Sequence, residues 1–167
     1  QQGKNTEAKA LLSMAEKNGI HALKLAIEKN NSSQLLLEKT QQHLKLKFLP
    51  AHIECFDISN IAGTDSVASA VVWENAKPNK NKYRQYHIKT VTGIDDFSSM
   101  KEVFLRRYKK TDNNQPLPNL IIVDGGKGQL NSALEALKEL RIDMTKLDII
   151  GLAKGRNTKF SESNTTL

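Results

Sequence analysis

The stretch "LIIVDGGKGQL", residues 120–130, governs how the rest of the chain reads. Leu120 to Val123 form an apolar run of strand length, and Asp124 closes it. Gly125, Gly126 and Gly128 then open into "KGQLNSALEALKEL" (127–140), whose apolar residues recur at helical spacing. The glycines do not form a nucleotide loop of the G-x-x-x-x-G-K-[ST] kind, because no Ser or Thr follows Lys127 to hold magnesium. A dinucleotide fingerprint G-x-G-x-x-G fails as well. Two readings remain. Either the glycines let backbone N–H groups at a helix start approach a phosphate, with Lys127 adding a charge, or Asp124 is an ordinary helix cap.

Outward from this stretch the elements fall into order. "HIECFDIS" (52–59) and "SVASAVVW" (66–73) are short and apolar, with Gly63 and Thr64 as turn chemistry between them. "NAKPNKNK" (75–82) is a polar turn, and "YRQYHIKT" (83–90) alternates like a half-buried strand. "DDFSSMKEVFLRRYKK" (95–110) predicts a helix, with Asp95 or Asp96 at its start and basic residues at its end, as the helix dipole favours. "TDNNQPLP" (111–118) is a loop, and "KLDIIGLA" (146–153) a last strand. Residues 4–46 differ from the rest. Leu11, Leu12, Ala15, Leu23, Ala26 and Ile27 predict a helix over about 5–29, and "NNSSQ" (30–34) a break. Leu35, Leu36, Leu44 and Leu46 predict a second helix over 32–46. The division expected is a helical arm at 1–49 and an α/β domain at 50–167.

Composition bounds the possibilities. The 167 residues suffice for one ordinary domain with a small appendage, and 38% hydrophobic with 26% charged residues suits a soluble protein. The formal charge of +7 favours a polyanionic partner, while 5% aromatics argues against a base-stacking surface. Cys55 is the one cysteine, which excludes an intrachain disulfide and a thiolate zinc cluster. No apolar run reaches the roughly 20 residues of a membrane span, and no signal peptide opens the chain, so a cytoplasmic location is expected.

The order β-β-β-α-β-α-β after a helical segment resembles the ribonuclease H-like fold, an α/β mixed sheet. There the first strand is central, and the strand after the first helix pairs parallel to it. Asp57, inside "CFDIS", and Asp124 would then face one site. Placing one carboxylate beside another is costly unless a cation lies between them. Oxygen ligands favour Mg2+ or Mn2+, and two such ions can clamp a phosphodiester in displacement.

"IECFDISN", "VASAVVW", "YRQYHIKTVTGIDDFSSMKEVFLRRYKK" and "LPNLIIVDGGKGQLNSALEAL" resemble the C-terminal endonuclease region of the UvrC family, over nearly the whole chain and most strongly from about 50 to 154. The resemblance implies a metal-dependent DNA endonuclease of nucleotide excision repair that cuts 5′ to a lesion. Its implied partners are damaged double-stranded DNA, UvrB and the UvrA–UvrB recognition system. It implies Asp57 and Asp124 as catalytic metal ligands and Asp96, in "DDF", as a third catalytic acid. Lys127, Arg106 and Arg107 are the expected DNA contacts, the arginines in a basic group with Lys101, Lys109 and Lys110. The family's histidine lies further on, and none of His21, His43, His52 and His87 falls on it, so this chain is expected to cut poorly. The other class of function is a non-catalytic DNA- or partner-binding domain of the same fold. Paired acids beside a basic surface favour the nuclease.

Overall fold

A computed structural model describes residues 2–61, 65–91, 93–109 and 116–153. The expected turn at Gly63 and Thr64, most of the 111–118 loop, Lys110 and residues 154–167 lie outside them. The elements are α1 (Gln2–Leu44), β1 (His52–Ile61), β2 (Asp65–Glu74), β3 (Lys77–Pro78), β4 (Arg84–His87), α2 (Asp96–Tyr108), β5 (Leu120–Val123), α3 (Lys127–Glu139) and β6 (Asp148–Gly151). Apart from the two-residue β3, the sheet region follows the expected β-β-β-α-β-α-β order.

The strands assemble as β3-β2-β1-β5-β6, and β4 also pairs with β2. β1 runs antiparallel to β2 over its whole length and parallel to β5, which is parallel to β6. The first strand is therefore central, with an antiparallel meander on one side and crossover strands on the other. Asn75 and Ala76, both at positive φ, make the tight turn that sends β2 back into β3.

Alternation along the strands sorts the two faces. Glu54 and Phe56 of β1, with Ile121 and Val123 of β5, lie under α2 and α3 and are buried. On α2, Met100, Val103, Phe104 and Tyr108 recur at three- and four-residue steps and close over this face. Phe56, Phe104 and Tyr108 form an aromatic cluster with ring centroids 4.6 to 6.1 Å apart. Ala133 and Ala136 on α3 have no bulk to hold the helices apart, and both are fully buried. Cys55, Asp57, Ile122 and Asp124 belong to the opposite face.

The arm departs from expectation. α1 is one helix through Asn30–Gln34, where a break between two helices was expected. Its polar stretch satisfies itself inside the helix: Ser33 Oγ donates to Lys29 O at 3.1 Å and Gln34 Nε2 donates to Glu38 Oε1 at 2.9 Å. Two helix ends would instead leave several backbone groups to be capped anew. The helix stops at Leu44, where Lys45 turns to φ +52°, its N–H bonding to Gln42 O and that of Leu46 to Gln41 O. From there the chain is tied to the sheet by Phe48 N–H, which donates to Asp148 Oδ2 at 3.1 Å.

Candidate active site

Asp57 and Asp124 meet because of register. Phe56 pairs with Val123 across the parallel ladder, so the next rung sets Asp57 beside Asp124. The Asp124 N–H donates to Phe56 O at 2.8 Å and carries the ladder one residue past the end of β5. Neighbouring strands lie about 4.8 Å apart, which fixes the backbone spacing of the two acids. Both side chains are half-buried, on the face away from α2 and α3. The Cys55 thiol shares that face: burial pushes its pKa up, and the charges of Asp124 and Asp57 push it further. Ser59 Oγ donates to Asp57 Oδ2 at 3.1 Å and fixes the carboxylate from the same strand.

The glycine loop leads directly from Asp124 into α3. Gly126 is the N-cap, and Gln129 Oε1 reaches back to its N–H at 3.2 Å. A side chain on Gly125 would occupy the place of that amide, since its Cβ would lie 1.7 Å from Gln129 Oε1. Asp124 is therefore not the helix cap. Lys127 is the first residue of α3 and is exposed. The start of α2 borders the same loop, because a Cβ on Gly128 would come within 2.4 Å of the Phe97 ring. Asp96 lies in that first turn of α2. The capping role belongs to Asp95, whose Oδ1 accepts from Phe97 N and Ser98 N at 3.1 Å each.

A cavity of about 790 Å³ opens on the acid-bearing face of the sheet, between Ile122, Ile150 and Leu152 below and Lys39 and His43 of α1 above. Among the described residues, no three His, Cys, Asp or Glu side chains gather into a metal-holding group. Of the three acids expected at the site, backbone pairing sets Asp57 beside Asp124.

The basic residues of α2 do not form one face. At about 100° per residue, positions five and six apart point about 140° and 120° away from each other. Lys101 turns to α3 and pairs with Glu139 at 3.2 Å. Arg106 Nη1 donates to His87 O at 2.8 Å and to Glu102 Oε1 at 2.9 Å. Arg107 is largely buried and its Nη2 pairs with Glu54 Oε1. Both arginines are at the far end of α2 from Asp96, about 15–17 Å along the helix axis, and so away from Lys127.

Two buried acids carry structure that the sequence reading passed over. Glu54 is 1% exposed and accepts from Tyr108 OH at 2.9 Å besides pairing with Arg107. Burial alone would raise its pKa, but His52, Arg107 and Tyr108 more than offset that and hold it low. Burial and the Glu54 charge push the Tyr108 hydroxyl well above its ordinary range. Glu102 accepts from Lys89 N, Thr90 N and Thr90 Oγ1 and so anchors the connection from β4 to α2. Burial raises its pKa less than the Thr90, Lys89 and Arg106 contacts lower it. The available signal was a charge at Glu54 in step with Phe56 on a strand face that had to be core.

A central strand flanked by an antiparallel meander and parallel crossovers, with two acids side by side on paired parallel strands, defines a ribonuclease H-like domain. Residues 41–166 match the model of the UvrC RNase H endonuclease domain. The chain belongs to that family. It is 52% identical over 131 residues to UvrABC system protein C of Bacteroides fragilis, covering 78% of this chain and 21% of the relative. Against the protein of the same name from Cytophaga hutchinsonii it is 46% identical over 157 residues, covering 92% and 26%. The relative from Methanococcoides burtonii is 48% identical over 151 residues, covering 87% and 24%. The chain thus spans about a fifth to a quarter of the length of the curated relatives it matches. Among solved structures, Ciona intestinalis endonuclease V in complex with an inosine-containing DNA has a TM-score of 0.42 at 18% identity, over 63% of this chain and 46% of that one. That likeness is too slight to build on.

Proposed function

We propose that this domain hydrolyses a phosphodiester of damaged double-stranded DNA, making the incision 5′ to the lesion in nucleotide excision repair. The observation that supports it above others is the register that seats Asp57 beside Asp124 on paired parallel strands. The donor set fits a hard divalent cation: two carboxylates, both crowding Cys55 with negative charge, on a half-buried face. Asp57 and Asp124 would hold Mg2+ or Mn2+, which supplies an activated water and neutralises charge on the phosphate. Ser59 orients Asp57 for that task. Lys127 and the first-turn N–H groups of α3 receive a phosphate oxygen, where the helix dipole favours negative charge. Asp96 supports the site from the start of α2. The intact protein works with UvrB after the UvrA–UvrB system has found the lesion, in the cytoplasm.

The test is incision of a lesion-bearing duplex by the intact protein with Mg2+ or Mn2+, comparing wild type with Asp57→Asn and Asp124→Asn. Both substitutions should abolish the cut while DNA binding stays nearly intact. Without metal, the melting temperature should hold or rise, since a repelling carboxylate has been removed. Normal cutting by Asp57→Asn would overturn the assignment. Lost cutting with a collapsed melting temperature would make Asp57 structural.

A further inference from the structure

A second cleft lies at the C-terminal end of α2. It is a cavity of about 450 Å³ whose walls include Lys82, Arg84, Arg106 and Arg107, with Tyr86 between them and Glu54 the one acid of the lining. Four cations converge on this space, and convergence of like charge is costly without anions to offset it. Three are offset: Arg107 by Glu54, Arg106 by Glu102 and Lys82 by Glu74 at 2.6 Å. Arg84 differs. Its Nη1 donates to Asn81 O at 3.1 Å and Tyr83 O at 2.7 Å, carbonyls rather than carboxylates. Arg106 stacks over the Tyr86 ring at 5.3 Å, which fixes the plane of its guanidinium. His52 also borders the cavity, its Nε2 3.4 Å from Glu54 Oε1.

We propose that this cleft is a second phosphate-binding site that grips a nucleic-acid backbone away from the acid pair, with Arg84 as its principal contact and Lys82 and Arg106 beside it. The proposal rests on DNA being the substrate. Guanidinium groups present paired N–H donors that match phosphate oxygens, and the net charge of +7 favours a polyanion. The distance suits the same ligand. α2 separates the cleft from Asp96 by about 15–17 Å, the length of roughly four to five base pairs at 3.4 Å each. One duplex could then touch both ends of the helix. Such a contact is to the backbone, so it holds position and reads no sequence.

The experiment measures binding of a fluorescent duplex to the intact protein without metal, across a salt series. Because nothing is cut, the result is independent of whether the acids catalyse incision, and loss of incision in Asp57→Asn leaves it untouched. Arg84→Gln should weaken binding several-fold and lower the slope of log affinity against log salt by about one unit. Lys82→Gln should lower it similarly, and Arg84→Lys should keep most of it. Lys24→Gln on the exposed arm is the control. An unchanged slope in Arg84→Gln, or an equal loss in Lys24→Gln, overturns the site. Arg84-dependent binding of polyglutamate without Arg84-dependent binding of DNA would assign the cleft to an acidic protein segment and overturn the nucleic-acid reading.

Discussion

Glu54 carries a charge into the core. It is buried on the core face of the central strand and satisfied by an arginine and a tyrosine that are themselves mostly or fully buried. Such a group adds little net stability when complete, because desolvation offsets the attraction. Removing one partner is another matter. Glu54→Ala leaves the Arg107 charge in the interior without its counter-ion and is expected to cost about 3–5 kcal/mol. Urea denaturation of wild type and variant checks this. A loss below about 1 kcal/mol would mean that Arg107 escapes to solvent in the variant.

α1 shows how an element can be legible in kind and misread in extent. Its periodicity gives a helix, but the run of Asn and Ser at 30–33 resembles a cap until the side-chain bonds of Ser33 and Gln34 are seen. Propensity differences of a few tenths of a kcal/mol per residue do not break a helix whose backbone bonds continue. The middle of this helix and its C-terminal part differ in environment. Leu37 is 5% exposed and Leu23 is 62% exposed. Leu37→Ala is therefore expected to destabilise by about 2–4 kcal/mol, while Leu23→Ala stays within about 0.5 kcal/mol. Thermal melting of the two variants decides whether the arm is fastened at its C-terminal end.

Across the whole molecule, pH acts through the carboxyls that folding has made more acidic. Glu54 and Glu102 are both held below their ordinary value of 4.5, burial opposing the effect and their hydrogen-bonded and charged partners outweighing it. A group with a lowered native pKa binds fewer protons folded than unfolded, so it stabilises at high pH and not at low. Its contribution is complete above pH 4.5 and is lost as pH falls through the lower native values. Denaturant midpoints should stay flat with respect to these two groups from pH 7 to about 5 and drop below that. In Glu54→Gln the acid-side drop should be shallower. An equal drop would place the acid sensitivity elsewhere.

The sequence determined the elements and their order. Apolar runs of four to ten residues bounded by turn chemistry gave the strands of the sheet, and the three- and four-residue steps of Met100, Val103 and Phe104 gave α2. It also singled out Asp57 and Asp124, because a charge inside or at the end of a buried strand has to be explained by something outside its own strand. No single-strand pattern sets the partner. Only the parallel pairing of β1 with β5 brought residues 67 positions apart side by side. The tertiary structure likewise decided which basic residues are committed. In the sequence Arg106, Arg107 and Lys101 form one cluster, but helix geometry turns them to three different neighbours. Their charges meet Glu102, Glu54 and Glu139, acids that local spacing only partly foretells. Local sequence fixes conformation through backbone and periodicity. The pairing of charges depends on which surfaces the packed core leaves facing one another.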